Sequence, residues 1–246
     1  MTTCLISLGG NLGDVMATIG GALLRLHQSP GIRVGTCSSL LRTLPVGADA
    51  GTEFVNAAAI LETSLTAHEL LDRLLAIETE LGRVRTIHWG PRTLDLDLIF
   101  FGDAIIDDRP RLRVPHLACW YRRFVLDPLT EIAPQFVHPE KHVSISELQR
   151  RLLIRPLPVT LLGDADELET LIAAVQPEFP EADLRCCRQH DEVPANNAGL
   201  VIQLPSSSSS SNSSARSPHH IGWLDASDGP SDKRQTLVDI LRSAGL

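Results

Sequence analysis

Two hydrophobic periods alternate along the first part of the chain. Residues 4–9 form a short apolar run ending in glycine, which predicts a strand entering a tight loop. Asp14 stands where a helix cap is wanted, and apolar residues at 15, 19, 22, 23 and 26 predict a helix over 15–27. Gly20-Gly21 weakens its middle. Residues 35–41 and 54–62 read as strands on either side of a loop rich in Pro, Gly and Asp. Thr66-Ala67-His68-Glu69 is a capping box, and the helix it opens runs to Leu81, where Gly82 stops it. Asp95–Phe101 is a strand with Gly102-Asp103 as its turn. Ser144-Ile145-Ser146-Glu147 opens another helix, which ends before Pro156. Elements mixed in this order predict one layer of helices on a largely antiparallel sheet, an α+β domain over 1–156.

The rhythm changes at Pro156-Leu157-Pro158. Beyond it, strands are expected at 159–162, 183–187, 199–204 and 220–225, with helices at Ala165–Val175 and from Ser231 or Asp232 to Ala244. That pattern predicts a small parallel α/β extension over 157–246. Residues 206–214 are almost pure serine and cannot bury a core, so a solvated loop is expected there.

Composition narrows the function. The chain has 246 residues and a formal charge of -8, which opposes nonspecific nucleic-acid binding but not an anionic ligand met by a local arginine cluster. Its opening apolar run is too short for a secretory signal, and nothing approaches membrane-spanning length. Five cysteines without a C-x-x-C pair fit a reducing cytoplasm. Cys186-Cys187 is read as two buried strand residues ahead of a redox or metal pair.

Chemistry concentrates around residue 95. Strand alternation puts Leu94, Leu96, Leu98 and Phe100 on one face and Asp95, Asp97, Ile99 and Phe101 on the other. Carboxylates at i and i+2 stand roughly 6.5–7 Å apart and repel one another unless a cation joins them, which suits Mg²⁺ shared with substrate phosphates. A D-x-D pair taken alone is more often two surface acids on a half-exposed strand. The stretch from Gly82 to Leu94, however, holds Arg83, Arg85, His88 and Arg92 and no acid. A cationic loop leading into a carboxylate strand is what phosphoryl transfer needs. There is no Walker loop and no protein-kinase signature, and Gly9-Gly10-Asn11-Leu12-Gly13 alone is a weak phosphate signal.

These residues resemble the 6-hydroxymethyl-7,8-dihydropterin pyrophosphokinase family of folate biosynthesis. The resemblance rests on Ser7 through Gly13, Arg42-Thr43-Leu44-Pro45, Phe54-Val55-Asn56-Ala57-Ala58, and Glu78 through Arg85. It continues through His88-Trp89-Gly90-Pro91-Arg92-Thr93-Leu94-Asp95-Leu96-Asp97, Val114-Pro115-His116, Arg122 to Leu126, Pro128-Leu129 and Glu131-Ile132-Ala133-Pro134, in family order over about residues 1–155. It implies a ferredoxin-like fold and transfer of pyrophosphate from ATP to the pterin's hydroxymethyl group, with AMP as second product. By the same resemblance, Asp95 and Asp97 hold two Mg²⁺ ions, and Arg83 and Arg92 stabilise the transferring phosphates. Arg85 assists on the loop, Trp89 belongs to its closure, and Glu78, Arg111, His116 and Arg122 take nucleotide-side positions.

A flat polar heterocycle wants aromatic faces and in-plane hydrogen bonds. Phe54 and Phe124 match the family's sandwiching rings, Asn56 can donate and accept at the pterin edge, and Thr43 and Val46 lie in the loop that reads the ring. Read without the family, the phenylalanines are core residues, Asn56 a strand-edge or turn residue and His116 structural. Departures from the family's pattern are Gly10 for a frequent serine, taken as harmless in a turn, Leu117 for a polar or aromatic residue, and the unusual Ala118-Cys119-Trp120. A Mg²⁺-dependent phosphohydrolase and a nonenzymatic pterin- or nucleotide-binding module are the competing readings. The extension is expected to be a regulatory or oligomerising appendage, or to serve a folate-pathway enzyme partner.

Overall fold

A computed structural model describes residues 1–44, 52–83, 92–188, 199–204, 223–225 and 232–246. The chain divides into two compact units, Met1–Ser146 and Glu147–Leu246. The first contains β1 (Thr2–Gly10), α1 (Val15–Gln28), β2 (Ile32–Cys37), β3 (Leu41–Thr43), β4 (Phe54–Thr63), α2 (Ala67–Glu80), β5 (Asp95–Phe101), β6 (Ile106–Asp108), β7 (Leu112–Val114) and α3 (Arg123–Ile132). The division falls inside α4 (Ile145–Leu152).

Antiparallel pairing gives the sheet order β2-β4-β1-β5, with β3 also paired to β4. Alternation along β1 and β4 sends Cys4, Ile6, Leu8, Val55, Ala57, Ala59 and Leu61 to one face. There they pack with Ile19, Ala22 and Leu26 of α1 and with Leu70, Leu74 and Ile77 of α2. Both helices begin where their caps predict. The Asp14 carboxylate accepts from the Ala17 amide at 3.0 Å, and Thr66 and Glu69 complete a reciprocal capping box.

The predicted single layer of helices is corrected by α3. It lies against β4, β1 and β3, and its buried Val125, Leu126 and Leu129 take no part in the core under α1 and α2. Helices therefore cover both faces of the sheet. The stretch expected as one strand over 35–41 is likewise two, because β2 slips register on β4 after Val34 and β3 restarts opposite Phe54 to Asn56.

A β-bulge corrects the face assignment at the end of β5. Ile6 pairs with Leu98 but Leu5 pairs with Phe100, so Ile99 is an extra residue. Leu94, Leu96 and Leu98 keep the helix-covered face. Past the bulge, Phe101 joins them, and Phe100 turns to the face of the aspartates. Its ring sits 4.8 Å from Phe136 and 5.3 Å from His138, centroid to centroid.

The second unit carries β8 (Leu157–Leu162), α5 (Ala165–Val175), β9 (Ala182–Cys187), β10 (Leu200–Gln203), β11 (Trp223–Asp225) and α6 (Lys233–Ser243). Its sheet is parallel throughout, in the order β11-β10-β8-β9. Asp164 and Asp232 cap its helices. Gly199 is required by packing, since a Cβ there would stand 1.8 Å from the Pro158 carbonyl oxygen. Cys186 and Cys187 lie on the edge strand β9 and are half-buried rather than buried. The serine run lies outside the described residues.

Candidate active site

The face of the sheet turned away from α1 and α2 forms the floor of a cleft. Cross-strand pairing aligns Ser7 with Asp97 and Gly9 with Asp95 on one side, and Gly9 with Asn56 on the other. Small residues at 7 and 9 leave open space above the strands. The cleft encloses about 650 Å³ including its mouth and is lined by Ser7, Gly9, Thr43, Leu44, Phe54, Asn56, Arg92, Asp95, Asp97, Arg122 and Phe124.

Charge is densest at Asp95. One carboxylate oxygen lies 2.5 Å from the Arg83 guanidinium and the other 2.5 Å from that of Arg92. Arg83 also pairs with Glu78, whose carboxylate accepts from the Leu96 amide at 2.8 Å. Glu78 is 2% exposed. Expected on the nucleotide side, it instead lies beneath the site and ties α2 to β5 and to Arg83. Asn11 fixes the other arginine: its side-chain oxygen accepts from the Arg92 backbone amide at 2.9 Å, and its backbone amide donates to the Arg92 carbonyl at 3.0 Å. The motif around Gly9 and Gly13 contained that signal: through Asn11 it holds residue 92. Gly10 is also more constrained than a turn glycine. It ends β1 opposite Val55, and a Cβ there would come within 2.5 Å of the Thr93 carbonyl oxygen.

Asp97 occupies the same face two residues on. Burial pushes its carboxyl above the ordinary range and Asp95 adds to this, against the opposite pull of His116, Arg122 and Arg83. His116 is placed by the bulge, since its amide donates to the Ile99 carbonyl at 3.0 Å. The ring's Nδ1 accepts from the Ala118 amide at 3.3 Å, which selects the tautomer with hydrogen on Nε2. Burial holds this imidazole below its usual range, with Asp97 pulling it up and Arg122 down.

At the other end of the cleft, the Asn56 amide donates to the Thr43 hydroxyl at 2.8 Å, beside Phe54 and Phe124. This brings Thr43, Phe54, Asn56 and Phe124 together from β3, β4 and α3. Arg111 is not part of the cleft lining; it is exposed and binds Asp72 at 2.8 Å. Val46, Arg85 and Trp89 lie outside the described residues. Sequence reasoning missed Ser7, Gly9 and Leu44 as lining residues, because a small or apolar side chain carries no chemical signal of its own.

Comparison with known proteins gives concordant matches. The family model described as 7,8-dihydro-6-hydroxymethylpterin-pyrophosphokinase matches residues 5–134, wholly inside the first unit. A 2-amino-4-hydroxy-6-hydroxymethyldihydropteridine pyrophosphokinase of Synechocystis sp. is 45% identical over 144 residues, 58% of this chain and 73% of the relative. The protein of the same name from Methylorubrum extorquens is 45% identical over 137 residues, 56% of this chain and 86% of its own length. The folic acid synthesis protein fol1 of Schizosaccharomyces pombe is 37% identical over 147 residues, 60% of this chain but 20% of that longer protein.

Proposed function

The chain belongs to the 7,8-dihydro-6-hydroxymethylpterin-pyrophosphokinase family, and from that premise we propose how its cleft performs the reaction. The enzyme transfers pyrophosphate from ATP to 6-hydroxymethyl-7,8-dihydropterin in folate synthesis, leaving AMP. The hydroxymethyl oxygen attacks the β-phosphorus and loses its proton, while the bond from that phosphorus to the AMP oxygen breaks.

Asp95 and Asp97 are the proposed ligands of two Mg²⁺ ions. The donor set fits. Two carboxylates share one strand face, and one of them is held up by burial and its acidic neighbour, the situation a divalent cation relieves. Among the described residues no group of three His, Cys, Asp or Glu side chains could hold a metal by itself. Bound there, Mg²⁺ would take phosphate oxygens and water beside the two carboxylates, as it favours. When bound, the metal withdraws charge from the phosphates.

Arg83 and Arg92 neutralise Asp95 in the free protein and are the proposed partners of phosphate charge as it shifts during transfer. Arg122, which lines the cleft, and His116, whose ring bears on Asp97, are the proposed contacts to the ATP phosphates. Glu78 positions Arg83. Phe54 and Phe124 clasp the pterin, with Asn56 and Thr43 reading its edge. Arg85, Trp89 and Val46 keep the roles the family resemblance implies. The sheet order β2-β4-β1-β5, with α1 and α2 as crossovers, supports a ferredoxin-like reading of the fold. Cytoplasmic action fits five free thiols, and no described helix is long and apolar enough to cross a membrane. For the second unit we propose docking of another folate-pathway enzyme, since the yeast relative carries its matching region within a much longer chain.

The observation that carries this reading is one cleft holding both the carboxylate–arginine cluster and the Phe54/Asn56/Phe124 end. A phosphohydrolase built on the same aspartates would have no use for that end. ATP, Mg²⁺ and the hydroxymethyl dihydropterin should give AMP and pterin diphosphate in equal amounts, and ATP breakdown to ADP without pterin would overturn the assignment.

A further inference from the structure

A ladder of cations and rings runs from the 138–141 turn into the cleft. Lys141 Nζ stands 4.1 Å from the centroid of the Trp120 ring. Trp120 meets Tyr121 edge-on, with centroids 5.2 Å apart and an interplanar angle of 72°. The Arg122 guanidinium carbon then lies 6.0 Å from the Tyr121 centroid and 5.6 Å from that of Phe124. Trp120 is only 6% exposed and Tyr121 8%, so these rings are internal. The last two members, Arg122 and Phe124, line the cleft.

The far end of the ladder is firmly built. His138 Nδ1 accepts the amides of Glu140 at 3.2 Å and Lys141 at 3.3 Å, which closes the turn. Its Nε2 stands 3.8 Å from Cys119 Sγ. Arg113 of β7 pairs with Glu140. The Cys119–His138 contact is not a nucleophilic pair: burial pushes the thiol up to about 12 and holds the imidazole down to about 3. It is packing that places Lys141 over Trp120.

We propose that Lys141 is a positioning residue for pyrophosphoryl transfer: its ammonium, seated on Trp120, fixes the 116–122 loop and thereby the aim of Arg122 at the ATP phosphates. The inference rests on the assignment of Arg122 to ATP given above. A cation over a buried indole is among the stronger contacts of its class. Neither Lys141 nor Trp120 touches the cleft, so their influence must pass through Arg122 and Phe124.

The groups facing Lys141 are the Cys119 thiol, Glu140 with its partner Arg113, and the neutral His138 ring. Burial holds the ammonium down to about 8, against a smaller upward pull from Cys119 and Glu140. The cation, and with it the contact, is lost as pH rises through that value.

The test measures KM for ATP against pH for the full chain and for Lys141→Met, Lys141→Arg and Arg122→Met. Lys141→Met should raise KM for ATP about five-fold near neutral pH, the scale of one desolvated cation–π contact, and Lys141→Arg should restore it. In the unaltered protein KM should climb above about pH 8, and in Lys141→Arg that climb should vanish. An unchanged KM in Lys141→Met, or the same climb in Lys141→Arg, overturns the proposal. If Lys141→Met does not fold, the pH comparison with Lys141→Arg decides alone. Arg122→Met separates the two layers. An unchanged KM there removes Arg122 from the ATP site, whereas a raised one beside a normal Lys141→Met removes only the brace.

Discussion

The Arg83 guanidinium lies 2.5 Å from one carboxylate oxygen of Asp95, so a proposed phosphate clamp and a proposed metal ligand neutralise each other in the free protein. Arg92 does the same on the second oxygen. Under the proposed assignment, Asp95 would hold the metal and Arg83 and Arg92 would turn to the ATP phosphates, so these pairs would have to part on binding.

Arg92→Ala should therefore slow chemistry more than it weakens pterin binding, because its partner charge develops during transfer. We expect a drop of about 10²–10³ in kcat with pterin affinity nearly unchanged, read by steady-state kinetics beside calorimetric titration. Equal losses in both would contradict the role.

Glu78 is the anchor under this exchange. Glu78→Ala leaves the buried Leu96 amide without its acceptor and Arg83 with Asp95 alone, and a buried donor left unsatisfied costs about 1–3 kcal/mol. Urea unfolding should show that loss. Glu78→Gln, which keeps an oxygen for Leu96, should lose less.

Gly10 is fixed by space. A serine or alanine there would push its Cβ to 2.5 Å from the Thr93 carbonyl, next to Arg92. Destabilisation of about 1–3 kcal/mol is expected, together with lower turnover, and a variant of unchanged stability would show that the strand end can shift freely.

Stability should also depend on His138. Its folded-state pKa is about 3, below the ordinary 6.5, chiefly through burial. Below pH 6.5 the unfolded chain takes up a proton that the folded ring refuses, so stability falls with pH until about pH 3. The slope approaches about 1.4 kcal/mol per pH unit, and burial of His116 acts in the same sense. Denaturant midpoints between pH 7 and 5 should show it, with a shallower fall in His138→Gln.

Much of this was legible in local chemistry. The Asp14 and Thr66 caps, the strand Asp95–Phe101 and the helix Ala165–Val175 are written in residues next to one another. What was hidden depends on partners distant in sequence. The bulge at Ile99 is a property of the pairing with β1, and alternation along β5 alone puts Phe100 and Phe101 on the wrong faces. Helix α3 was missed because Arg122 makes no side-chain cap and Pro128 sits inside it. Glu78 looked like a ligand because its burial comes from the return of β5 beside α2.

By the proposed assignment, Asp95 and Asp97 organise the metal on which transfer depends, within the cleft that would bind the pterin. The most direct measurement is pterin-dependent AMP formation by Asp97→Ala at saturating ATP and Mg²⁺, with pterin affinity measured on the same sample. Turnover should fall by at least about 10³, the scale of losing charge stabilisation at the reacting phosphates, while pterin still binds. Near-normal AMP formation by that variant would contradict it.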